Sequence, residues 1–382
     1  MEFDFLKPLD SEIIQLVKEY SSQQLGSKVV FHTAEDFPNL DKIKIAIVGV
    51  IENRGDNQQT ETVDLSHIRK ELYSLFPGKW DASIADLGNI LGGNSISDTH
   101  FALRKVVSSL IKKKIIPIII GGSQDLTYSL YRAYDELEQM VNLVSIDSKF
   151  DFGKESEALS NTSYLTKIII DEPNNLFNYS NVGYQTYYNS QEEIDLIDRL
   201  FFEAYRLGEV SNTIAIAEPV FRDADLVSLD LTSVKSSDSG NFESFVPNGF
   251  SGKEICALSR YAGISDKVTL FGIFNHNNSQ QESVLIAQII WYFIEGYHYR
   301  SFEYPFGSRE NYIKYIIPQE EELVFYKSNK TDRWWIEIPF ISNGNNKLKK
   351  STLLPCSYDE YLAACNQEVP ERWWKAQRKS IL

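Results

Sequence analysis

Short, almost uninterrupted apolar runs rich in Ile and Val constrain this chain more than any other feature. They are residues 43–51, IIPIII (115–120), VNLVSID (141–147), DLVSLDL (225–231) and KVTLFGIF (267–274). Runs of this length without alternation suit strands of a parallel sheet covered on both faces. Weaker strand patterns fall at ASIADLG (82–88) and NYSNVGY (178–184). Amphipathic stretches lie between them. Leu103, Val106, Val107, Leu110 and Ile111 recur at helical spacing within 98–114, and 281–298 carries Val284, Ile286, Ile289 and Ile290. Ser251 and Glu254 have capping-box spacing and open a helix over 251–263. Strand and helix alternating in this way predict right-handed crossovers and a three-layer α/β/α unit with a parallel central sheet. Its ligand site is expected beyond the carboxyl ends of the strands.

The pattern changes near residue 300. YIKYIIP (312–318), ELVFYKS (322–328) and RWWIEIPF (333–340) alternate aromatic and polar residues, with a turn at SNKTD (328–332). They predict a β-hairpin. Ser357 and Glu360 begin a closing helix with another capping box. The expected division is an α/β domain over 1–299 and an aromatic extension over 300–382. Four of the six tryptophans sit in Arg333-Trp334-Trp335 and Arg372-Trp373-Trp374. So much aromatic surface must be buried, on the core or on a partner.

With 43% hydrophobic residues among 382, the chain can bury a sizeable core. Its net charge of −15 argues against nucleic acid, whose phosphates need a basic face. The opening MEFDFLKPLDSEIIQLVKEY mixes acids and bases and does not read as a secretory signal. No apolar run is long enough to predict membrane insertion. Cys256, Cys356 and Cys365 form no CxxC pair and suit a reducing compartment, so the chain reads as cytoplasmic.

Polar residues follow the core strands in Gly121-Gly122-Ser123-Gln124-Asp125, Asp147-Ser148-Lys149-Phe150-Asp151 and Ser228-Leu229-Asp230-Leu231-Thr232. In this order the loops resemble the ureohydrolase family of arginases, agmatinases and formimidoylglutamases. That family's patterns are Gly-Gly-Asp-His, Asp-Ala-His-x-Asp and Ser-x-Asp-x-Asp. The likeness runs from about residue 43 to 298. It includes Ile84-Ala-Asp-Leu-Gly-Asn89, Asn161-Thr-Ser-Tyr164, Val182-Gly-Tyr-Gln185 and Gly272-Ile-Phe-Asn-His276. Phe150-Asp151 and Asn161-Thr-Ser point most to the formimidoylglutamases. The resemblance implies the arginase-like fold and two manganese ions held by two His and four Asp.

Half of those ligand positions differ. Asp147, Asp151 and Asp230 match ligands, whereas Gln124 and Lys149 stand for the histidines and Thr232 for the last aspartate. Ile273 falls where the family carries a substrate-facing Glu. None of His32, His67, His100, His276 and His298 lies in the three loops, and no Ser-His-Asp or Cys-His set is visible there to replace the metals. Three aspartates and one lysine leave a net charge of −2, costly to bury unless it is neutralised. Lys149 is therefore expected to pair with Asp147 or Asp230. The expected cofactor is none, or at most one divalent cation (Mn, Mg or Ca). The first functional expectation is a pseudoenzyme whose dimanganese centre and catalysis are lost, serving as a binding or scaffolding protein. The second is a metal-dependent hydrolase of linear amidine or guanidine C–N bonds, such as formimidoylglutamate. A protein partner or homo-oligomer remains open.

Overall fold

A computed structural model describes residues 3–56, 63–79, 83–137, 139–303, 305, 309–338 and 353–381. The strands of its main sheet are β1 (Leu6–Lys7), β2 (Val30–Phe31), β3 (Ile45–Ile51), β4 (Ile84–Leu91), β5 (Ile116–Ile120), β6 (Val141–Ile146), β7 (Leu176–Tyr184), β8 (Glu203–Arg206), β9 (Leu226–Asp230) and β10 (Leu270–Phe274). Their order is β1-β4-β3-β5-β10-β9-β6-β7-β8, with β2 also on β4. Every apolar run named from the sequence becomes a strand. The pairings are parallel except at β1, which runs antiparallel to β4 and corrects the all-parallel expectation at that edge.

Side chains alternate between two cores. Ile45, Ile47, Ile118, Ile120, Val227 and Leu229 point to one face, and Ala46, Val48, Ile119, Leu143 and Leu226 to the other. Helices Gly252–Ile264 and Gln280–His298 cover the first face, and Ile96–Lys112 with Leu126–Arg132 covers the second. This is the three-layer arrangement expected, and Ser251 and Glu254 form the expected capping box. Gly263 and Gly296 let the first pair of helices touch: a Cβ at Gly263 would lie 2.1 Å from the Phe293 carbonyl oxygen.

The extension is larger than a hairpin and one helix. Strands β11 (Tyr312–Ile317), β12 (Leu323–Ser328), β13 (Trp334–Glu337) and β14 (Leu353–Cys356) form a second, antiparallel sheet. Helices Tyr358–Cys365 and Glu371–Ile381 follow. The proposed division near residue 300 falls between helix Gln280–His298 and this sheet. Residues 339–340 of the expected strand lie outside the described residues. Sequence reading missed β14 because Leu353–Cys356 is short and contains Pro355, which a strand next to only one partner tolerates.

The second sheet has two buried faces. Phe325, Trp334, Ile336, Leu354 and Trp373 make one cluster, and Tyr326, Trp335 and Leu353 another. Two arginines tie it to the main domain. Arg222, from helix Glu218–Asp223, donates to the carbonyls of Trp334 and Cys356, both at 2.9 Å. Its guanidinium stacks 4.7 Å from the Trp335 ring centroid. Arg372 reaches back to Glu203 on β8 at 2.8 Å and donates to the Pro355 carbonyl at 2.6 Å. Burial alone would raise Glu203, but Arg372 and then Lys379 bring it down to about 2.

Arg372→Ala strands the buried Glu203 carboxylate and is expected to cost about 3–5 kcal/mol in denaturant unfolding. The wild-type contribution is present above the usual Glu pKa and fades as pH falls through about 2. The stability gap between variant and wild type should therefore narrow in acid.

Candidate functional site

Four neighbouring strands, β5, β10, β9 and β6, end at one edge and bring the three loops together. Gly121 and Gly122 let the first loop pack closely on its neighbours. A Cβ at Gly122 would lie 1.9 Å from the Glu52 carbonyl oxygen, and one at Gly121 would lie 2.8 Å from the Phe274 ring. The loop is pinned to β10 by Gly121 N–H on the Ile273 carbonyl (2.9 Å) and Asn275 N–H on the Gly122 carbonyl (2.7 Å). Asn275 itself takes a left-handed φ of 59° and accepts from the Gln124 N–H at 3.1 Å.

That anchoring directs the buried Gln124 side chain at the second loop. Its Nε2 donates to Asp147 at 2.9 Å and to the Tyr164 hydroxyl at 3.2 Å. The other Asp147 oxygen accepts the Lys149 N–H at 2.9 Å. Asp151 sits at φ 57°, and its Oδ2 is buried with no hydrogen-bond partner among the described residues. Asp230 accepts from the Thr232 N–H at 2.8 Å.

Burial pushes all three carboxyls upward. Asp147 is raised chiefly by burial, against donors from Lys149 N–H and Gln124. Asp151 is raised well above the carboxylate range by burial and then by the charges of Asp147 and Asp230. Asp230 rises to about 7 by burial and then by Asp147. The three share one electrostatic environment, with the Asp147 and Asp151 carboxyls in hydrogen-bond contact. Among the described residues no group of three or more His, Cys, Asp or Glu is placed to hold a metal ion.

Lys149 is not where the charge argument put it. The side chain is exposed, with Nζ 5.7 Å from the Tyr188 ring centroid, and it makes no ion pair within 4.0 Å among the described residues. Donors from Gln124 and the Lys149 N–H, and at longer range the Lys149 charge, hold the buried carboxyls down against burial, while the exposed amine keeps its hydration. Ile273 has no exposed surface and packs in the sheet core.

Two residues that sequence reading undervalued complete the site. His276, expected on the surface or in the core, is buried at the end of β10, and neither ring nitrogen has a partner among the described residues. Burial lowers it to about 4, so it is neutral at pH 7. Glu282, in the first turn of helix Gln280–His298, is raised to about 8 by burial and by Asp230, and its Oε1 is also without a partner. Its spacing from Ser279, whose side chain accepts from the Glu282 N–H, is a helix-start signal in the sequence, and nothing in that signal points to burial beside Asp230. Asp151, Asp230, Lys149, Thr232 and His276 line one cavity of about 530 Å3.

The fold and this edge define an arginase-like α/β protein. Residues 43–294 match the arginase family, and the chain belongs to that family. A formimidoylglutamase from Lysinibacillus sphaericus (strain C3-41) is 26% identical over 212 residues, 53% of this chain and 65% of the relative, so the match spans less than two thirds of that protein. Among solved structures, Trypanosoma cruzi formiminoglutamase with Mn2+2 superposes with a TM-score of 0.61 at 17% identity, over 69% of this chain and 100% of that one. Formimidoylglutamase from Bacillus subtilis gives 0.63 at 16% identity, over 70% of this chain and 91% of that one.

A carboxyl raised to about 7 stabilises the fold fully below its unfolded pKa of 3.8, and that contribution is lost as pH rises through about 7. Asp230→Asn is expected to remove the loss. Between pH 5 and pH 8 wild type should lose on the order of 2–4 kcal/mol more than the variant. Thermal melts of both proteins at the two pH values check this.

Proposed function

We propose that this arginase-family chain is a binding protein that uses the cavity above β5, β10, β9 and β6, and that it does not assemble a manganese pair. The observation that carries this reading is the Gln124 amide donating to Asp147 at 2.9 Å. The carboxylate oxygen already holds a hydrogen where a metal-ligating histidine would leave it free for the ion. Lys149 is turned outward over Tyr188, and Thr232 brings a hydroxyl in place of a charge. The residues present therefore do not fit the ion pair named for the Trypanosoma cruzi relative. Without such a pair, no metal-activated hydroxide is formed at this edge. Asp151, Asp230 and Glu243 on the cavity wall offer carboxyl acceptors to a small ligand bearing an amino or amidino group, whose positive charge would favour loss of the protons that burial holds on Asp151 and Asp230.

A second reading, hydrolysis of a linear amidine, is favoured by the retained Asp147, Asp151 and Asp230 and by the likeness to a formimidoylglutamase. Protein expressed with added manganese separates the two by elemental analysis. Well under two manganese ions per chain, with no turnover of formimidoylglutamate, arginine or agmatine, is the expected result. Two ions per chain, with turnover abolished by Asp230→Ala, would establish the hydrolase instead.

A further inference from the structure

A second constellation of reactive side chains starts at Asp125, the residue after Gln124 in the first loop, and extends onto the face covered by helices Ile96–Lys112 and Leu126–Arg132. His100, on the first helix, bridges two residues of the second segment. Its Nδ1 lies 2.5 Å from Ser129 Oγ, and its Nε2 lies 2.8 Å from Asp125 Oδ2. Asp125 caps the second helix and Ser129 follows one turn later, so both face the same ring. Asp125 has no exposed surface, Ser129 has 2% and His100 has 9%. The bond to the Asp125 carboxylate places the ring proton on Nε2. That leaves Nδ1 as the acceptor for the Ser129 hydroxyl. Serine, base and buried carboxylate thus stand in the order that activates a serine oxygen, an arrangement recognised by geometry and not by sequence position.

His100 and Ser129 open on a cavity of about 410 Å3. Ile96, Phe101 and Leu159 give it an apolar wall, and Arg104, one helical turn beyond His100, lies on the same wall. We propose that Ser129 is an acylatable nucleophile in a second site that takes small esters with a short apolar acyl group. In the step, Ser129 Oγ bonds to the acyl carbon and its proton passes to His100 Nδ1. The ester C–O bond breaks, and the alcohol departs with that proton. Asp125 balances the imidazolium charge, and Arg104 supplies N–H donors to the carbonyl oxygen as it gains charge. Water then frees the acyl group along the same proton path, releasing the carboxylic acid.

The same distances would suit a helix–helix tie with no reactivity, so the test reads covalent chemistry on the folded full chain. Diisopropyl fluorophosphate is the probe, with intact mass and peptide mapping. One adduct per chain at Ser129 is expected, together with a burst of nitrophenolate from p-nitrophenyl butyrate. His100→Gln should slow labelling roughly a thousandfold, and Ser129→Ala should abolish it, each with a cooperative melt confirming the fold. No adduct on folded wild type, an adduct at another residue, or an undiminished rate in folded His100→Gln would overturn the proposal.

Discussion

A parallel sheet that is apolar on both faces leaves its polar side chains one place to converge, the carboxyl edge. Everything notable about this chain's site follows from that constraint. Because β5, β10, β9 and β6 are neighbours, loops more than a hundred residues apart meet, and Gln124 N–H finds Asn275 across 151 positions. The glycines there serve close packing: the Glu52 carbonyl occupies the space that a Cβ at Gly122 would need.

The cost of the edge is electrostatic. Asp147, Asp151 and Asp230 are buried together, and each carboxyl is pushed upward by lost hydration. The chain meets that cost with amide and backbone donors. Gln124, Lys149 N–H and Thr232 N–H satisfy oxygens, while Asp151 Oδ2, Glu282 Oε1 and both His276 ring nitrogens have no hydrogen-bond partner among the described residues. Unmet buried polar atoms are expensive, and they concentrate at binding sites because binding repays them.

The second sheet depends on a different economy. Arg222 and Arg372 reach backbone carbonyls at the strands' ends, and Arg372 also meets a buried carboxylate on the outermost strand of the main sheet. Planar guanidinium groups suit this role, since one head can donate to several acceptors while its face covers an aromatic ring, as Arg222 covers Trp335. One fastening arginine, Arg372, lies beside its own tryptophan pair, whereas the other, Arg222, reaches Trp334 and Trp335 from the main domain.

Sequence alone determined the core strands of the main sheet and the helices that cover its first face. Apolar runs such as 115–120 and 267–274, and the capping boxes at Ser251 and Ser357, are local signals that tertiary contacts did not override. It also placed Asp147, Asp151, Asp230, Gln124 and Thr232 at strand ends. What it could not supply was direction. Charge counting turned Lys149 inward, but a flexible amine stays hydrated when other donors reach the carboxylates first. The antiparallel β1 and the short β14 carry too few residues for periodicity to register. Glu282 carries no local signal for a site, and only packing brings it near Asp230. The Asp125 and Ser129 spacing is visible on one helix, yet His100 comes from another, 25 residues from Asp125. Residue type and period are written along the chain, whereas which side chain meets which is decided only when the sheet closes and water is expelled.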